Sequence, residues 1–152
     1  MVGMQSVQCG ADCPLCAGPG GAQIWSDEAW RVVRVADDDF PAFYRVIAKP
    51  HVVEFTDLPL PEQQRCMTLV CSVERVLRKQ LAPTKINLAS LGNMTPHLHW
   101  HVIARFDWDS HYPQPVWGTA QRSVEPSALA LLPMPLARLD EAVHLGLHSP
   151  YT

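Results

Sequence analysis

Between His97 and Val102 the chain alternates strictly, His-Leu-His-Trp-His-Val. Residues two apart share a face only in an extended strand, so the run predicts a β-strand whose imidazoles stand roughly 6.5 to 7 Å apart on one exposed side. Leu98, Trp100 and Val102 then turn to a core. A strand with one apolar face needs a sheet around it and a packed layer beneath it. An affinity tag would be contiguous and terminal, whereas this run is internal and interleaved with large apolar residues. The competing readings are a structural metal site and a polar sheet face arising by chance. Three of the chain's seven histidines at alternate positions argue against chance.

The flanking segments supply the rest of such a fold. Residues 29–35 and 44–48 are rich in β-branched and aromatic side chains and are separated by the acidic turn Asp37-Asp38-Asp39, which predicts an antiparallel pair. Over residues 62–81, Met67, Val70, Cys71, Val73, Val76, Leu77 and Leu81 recur near helical spacing, and Pro83 stops the pattern. Cys66 and Cys71 read there as small packing residues. Residues 85–90 and 98–106 form two further strands joined by a turn at Gly92-Asn93. The expected class is α+β, an antiparallel sheet of about five strands with one main helix.

A length of 152 residues fits one domain over 1–152. Residues 1–21 read as a Gly- and Cys-rich N-terminal segment, and 107–152 as a proline-rich C-terminal extension with a helix over 136–147. The formal net charge of −3 provides no basic footprint for extended nucleic acid. No apolar stretch approaches the roughly 20 residues of a membrane span, and the first ten residues lack a secretory pattern, so a cytoplasmic protein is expected. Five cysteines, an odd number, fit a reducing compartment better than a disulfide framework. Cys13 and Cys16 are spaced as a metal pair or a redox pair, with two ordinary free thiols as the plainer reading. Redox chemistry of the thioredoxin kind wants the pair at the start of a helix, and Gly18, Gly20 and Gly21 disfavour one there.

Imidazole serves as nucleophile, acid or base near neutral pH, and a row of imidazoles suits stepwise phosphoryl chemistry. Three stretches now fall in order: Cys13-Pro14-Leu15-Cys16, then Arg45-Val46-Ile47-Ala48-Lys49-Pro50-His51, then Asn87 through Gly92-Asn93 into His97-Leu98-His99-Trp100-His101-Val102-Ile103-Ala104-Arg105. Together they resemble the histidine triad (HIT) family, in its bacterial zinc-type subgroup, over about residues 12–106. The resemblance implies that His99 is the nucleophile forming a nucleotidyl-histidine at an α-phosphate. His101 would assist the leaving group, with His97 as the third member of the triad. It places Asn87, Gly92 and Asn93 near the ribose and phosphate and Ile24, with the region of Phe40 to Phe43, near the base. It also implies a structural zinc held by Cys13, Cys16, His51 and His97, as in zinc-bearing members and the related galactose-1-phosphate uridylyltransferases, and a homodimer sharing one continuous sheet.

Two departures bear on the leaving group. Ala104 stands where many members have proline, and Met94 where many have Ser or Thr. The expected activity is a nucleotide hydrolase or transferase acting on an adenosine-type nucleotide, such as a dinucleoside polyphosphate, an adenylate or a phosphoramidate. The alternative is a nucleotide-binding regulatory module with little turnover. His111 reads as a surface histidine, the tryptophans as packing residues, and Asp37 to Asp39 as a solvated turn.

Overall fold

Val32, Val33, Val46, Ile47, Val102 and Ile103 are β-branched, stiff at χ1 and suited to a pleated surface. They occupy the centre of a five-stranded antiparallel sheet in the computed structural model, which describes Cys9 and residues 12–148. The strands are β1 (Ala22–Ser26), β2 (Trp30–Arg34), β3 (Phe43–Ala48), β4 (Lys85–Ala89) and β5 (His99–Arg105), in the order β1-β2-β3-β5-β4. The fold is α+β, as expected. β1 carries no alternating pattern of its own; it is a half-exposed edge with a register shift between Gln23 and Trp25.

On one face of the sheet lies the main helix α2 (Leu60–Leu81), which buries Cys66, Leu69, Val70, Val73, Leu77 and Leu81. Its partners in the core include Val32, Tyr44, Val46, Val102 and Ala104. The helix ends at Ala82, whose left-handed φ of 45° and the following Pro83 prevent continuation. Cys71 departs from the packing role expected of it: it is exposed. After a single turn, α3 (Ala128–Leu131), a last helix, α4 (Leu136–His148), packs beside α2 through Leu139, Val143 and Leu147. The two helices come so close that a Cβ on Gly146 would meet a Val76 methyl at 2.5 Å. Asp140 of α4 accepts from Arg34 Nε and from the Tyr44 hydroxyl, at 2.9 and 2.7 Å, tying the helix to the sheet. Among the described residues, no helix is long and apolar enough to cross a membrane.

The other face carries the histidines, and here the structure corrects the expectation of an exposed imidazole surface. His97, His99 and His101 are 0%, 7% and 4% exposed. Two segments outside the sheet cover them. From the N-terminal side, a single helical turn, α1 (Pro14–Ala17), lays Leu15 on Val33 and Ile47. Buried Arg31 fixes that turn by donating to the carbonyls of Leu15, Gly18 and Pro19. From the C-terminal side, Val116 packs on Phe40, Phe43 and Ile103. The link between β4 and β5 is also longer than a tight turn at Gly92-Asn93. It runs over residues 90–98, so His97 lies before the strand and not on it.

Candidate active site

His99 and His101 share a face of β5, with ring centroids 4.8 Å apart and planes nearly perpendicular. His99 Nδ1–H donates to the His97 carbonyl at 2.7 Å, which fixes the tautomer and leaves Nε2 with a free lone pair. The His101 ring sits between Phe43 and Trp117, at 5.3 and 5.0 Å. Its Nδ1 is buried without a hydrogen-bond partner. Burial holds all three imidazoles below their ordinary range. For His101 burial, with the added repulsion of His99 and Arg45, lowers the pKa to about 3. The free site is therefore neutral at its histidines.

His97 faces a different neighbourhood. Its Nε2–H donates to the Ala48 carbonyl at 2.6 Å, so Nδ1 is the unprotonated nitrogen. That atom lies 3.4 Å from Cys13 Sγ, 3.5 Å from Cys16 Sγ and 3.2 Å from His51 Nδ1, while Cys16 Sγ is 3.3 Å from His51 Nδ1. The four expected donors thus converge. Cys9 joins them, since the donor atoms of Cys9, Cys13, Cys16 and His51 all lie within 4.8 Å of one another, a group able to hold a metal ion. In this structure Cys16 is paired with Cys9 in a disulfide and Cys13 is a free thiol. The odd-cysteine argument does not foresee that pairing.

The remaining expected residues are scattered. Asn87, on β4 opposite Ile103, accepts from Arg105 Nη1 at 2.8 Å through its Oδ1. Gly92 and Asn93 lie in the 90–98 loop, where Asn93 is exposed and Met94 is 96% exposed. Ile24 does not join the histidines: it packs against the helix-side core. His111 is bonded to Ser110 and stacks edge-on against Phe40. Two residues at the site receive no role from the sequence motifs. Trp117, 53% exposed, lies against His101, and Arg45 pairs with His101 across the β3–β5 ladder. The signal for Arg45 was available, since a cation inside Tyr-Arg-Val-Ile-Ala is out of place in a strand that is otherwise apolar.

A family model described as the HIT domain matches residues 22–108. Among solved structures, a histidine triad protein of Bradyrhizobium japonicum is 29% identical over 84% of this chain and 91% of its own, with a TM-score of 0.68. A histidine triad protein of Sinorhizobium meliloti 1021 is 25% identical over 84% and 89%, with a TM-score of 0.64. A zinc-bound histidine triad family protein of Mycobacterium smegmatis, 21% identical over 90% and 96%, shares the fold at a TM-score of 0.58. No curated protein matches at a significant level. With more than half of its length matched by the family model, the chain belongs to the HIT domain family, the histidine triad proteins.

Proposed function

We propose that the protein cleaves or transfers at the α-phosphate of an adenosine-type nucleotide through a nucleotidyl intermediate on His99. One observation carries the reading. The Nδ1–H of His99 is engaged by the His97 carbonyl, so the free lone pair on Nε2 is on the ring edge away from that bond. Family membership supplies the substrate class, since histidine triad proteins are in general nucleotide-binding hydrolases and transferases.

In this reading His99 Nε2 attacks phosphorus, the bond to the leaving group breaks, and His101 delivers a proton to the departing atom. Water then attacks the phosphoramidate and returns His99. Two modest displacements replace one difficult one. Burial keeps His101 neutral before substrate binds, but an arriving phosphate places negative charge beside it and raises its proton affinity. Substrate binding and proton uptake are thereby coupled.

Asn87, Gly92 and Asn93 remain our candidates for contacts to ribose and phosphate. The exposed Met94 offers no hydroxyl, which keeps the binding-module reading as the alternative. A panel of dinucleoside polyphosphates, aminoacyl adenylates and adenosine phosphoramidates separates the two. We expect AMP released from at least one class in many turnovers, whereas tight binding with no product would favour the module. β1 and β4 are the edge strands of the sheet, and covering such an edge supports a homodimer that continues the sheet.

We further propose a structural zinc on Cys13, Cys16, His51 and His97. Zinc bonds of about 2.0 to 2.3 Å at tetrahedral angles separate the donors by about 3.3 to 3.8 Å. The four spacings between sulphur and nitrogen or between nitrogens quoted above run from 3.2 to 3.5 Å. The bond from His97 to the Ala48 carbonyl is the outer contact that orients a ligating imidazole. A sulphur in a disulfide does not donate as a thiolate, so the fit requires the Cys9–Cys16 pair to be reduced. Bound there, zinc contributes stability and no catalytic step. Protein prepared under reducing, chelator-free conditions is expected to hold one equivalent. The double replacement Cys13→Ser/Cys16→Ser should lose the metal and lower Tm by about 10 °C, because metal-binding energy becomes folding energy. A metal content well below one equivalent, with unchanged Tm in the variant, would refute the assignment.

A further inference from the structure

We propose that Arg45 is an anion-binding residue of the active site, gripping the phosphoryl oxygens of the substrate beside His101. The inference rests on the reading of the site as one for phosphate esters, and it adds a residue to which the motifs assign no role.

Three arginines of the sheet serve its histidine face, and they differ in how their donors are used. Arg31 gives its guanidinium to three backbone carbonyls. Arg105 is saturated by Asp109, Asn87 and the Gln114 carbonyl. Arg45 makes one long bond, from Nη1 to the Gly20 carbonyl at 3.3 Å, and its Nε is buried with no partner. Among the described residues no carboxylate forms an ion pair with it. On the neighbouring strand, directly across the ladder, His101 Nδ1 is also buried without a partner; among the described residues the third such nitrogen is Trp100 Nε1.

A buried donor left unsatisfied is destabilising, and more so when it carries charge. Two such nitrogens at one pair of the ladder therefore mark an acceptor that belongs there and is supplied from outside. The guanidinium presents a planar fork of donors, the geometry that matches two oxygens of one phosphate. Arg45 also bears on the neighbouring imidazole. Its charge is one of the causes, after burial and His99, holding His101 below the ordinary imidazole range. As negative charge builds on phosphorus, the same cation stabilises it without having to move.

The test uses the full chain at neutral pH and titrates AMP, adenosine and inorganic pyrophosphate by calorimetry into wild type, Arg45→Met and Arg45→Lys. Arg45→Met should weaken AMP and pyrophosphate by about 10- to 100-fold and leave adenosine unchanged, and Arg45→Lys should recover part of the loss. A structural role would not move a second readout: in Arg45→Met the His101 ring signals should titrate at higher pH. Wild-type affinity of Arg45→Met for AMP and pyrophosphate overturns the inference even where nucleotides are turned over, and so does an equal loss for adenosine. Pyrophosphate binding that depends on Arg45, without nucleotide binding or turnover, upholds the inference and defeats the nucleotide reading. A wild type that binds neither anion defeats both. Should both variants fail to fold, wild type still decides: pyrophosphate, and not adenosine, must protect Arg45 from modification by phenylglyoxal.

Discussion

Replacing His99 by Ala yields a protein that still binds AMP and processes no adenylate, slower than wild type by about 10⁴-fold or more, the scale of losing a covalent nucleophile. The loss should be large because no neighbour can take over. His97 Nδ1 is turned away toward Cys13, Cys16 and His51, and its other nitrogen is bonded to the Ala48 carbonyl. His101 has Phe43 and Trp117 against its ring and no fixed tautomer. The His101→Ala variant should behave differently. It should slow substrates with basic leaving groups far more than those with acidic ones, and the nucleotidylated enzyme should still form. Initial rates across two leaving groups, with mass detection of the adduct on His99, check both statements. Turnover of His99→Ala above a hundredth of wild type would sink the mechanism.

The alternation from His97 to Val102 was a sound guide to the strand and to the two faces of the sheet, because period-two patterning is local and needs no knowledge of the partner. It could not reveal that the histidine face is covered. That depends on residues far away in the chain, Leu15 on one side and Val116 on the other. It also placed His97 on the strand, whereas the ladder begins at His99. The hydrogen bond of Leu98 N–H to the Val52 carbonyl and that of His97 to Ala48 belong to the turn that delivers the imidazole to the cysteines. Helix α2 was legible almost to its ends, since 22 residues sustain an apolar stripe. β1 was not, being five residues long with one buried side chain. Arg45 and Trp117 escaped for a related reason: each acquires its meaning from His101, across a strand pair or from the covering segment.

Asp109→Ala is expected to lower the unfolding free energy by about 3 to 5 kcal/mol, the cost of breaking a buried ion pair from one side. Arg105 and Asp109 side chains are 2% and 3% exposed and form a two-pronged pair at 2.8 and 3.0 Å. The carboxylate also accepts the backbone N–H groups of Phe106, His111 and Tyr112. Removing it strands a guanidinium and three donors at once. Burial alone would raise the Asp109 pKa, but Arg105 and the N–H groups of Phe106 and His111 outweigh it and hold the group below its ordinary value of 3.8. The sign follows: the pair stabilises the fold at all pH values above the ordinary carboxylate range and is lost only as the pH falls through the depressed folded value. The difference between wild type and Asp109→Ala should therefore be constant from neutral pH down to about 4 and shrink below it. Asp109→Leu combined with Arg105→Met should cost less than Asp109→Ala, because no charge is left buried. The effect on the site comes through the same group. Asp109 anchors the turn leading to Val116 and Trp117, so Asp109→Ala should raise amide exchange over residues 110–118 and bring the His101 titration toward the ordinary range. A full loss of stability with neither change would mean that the pair holds the turn but that the turn does not shield the catalytic imidazole.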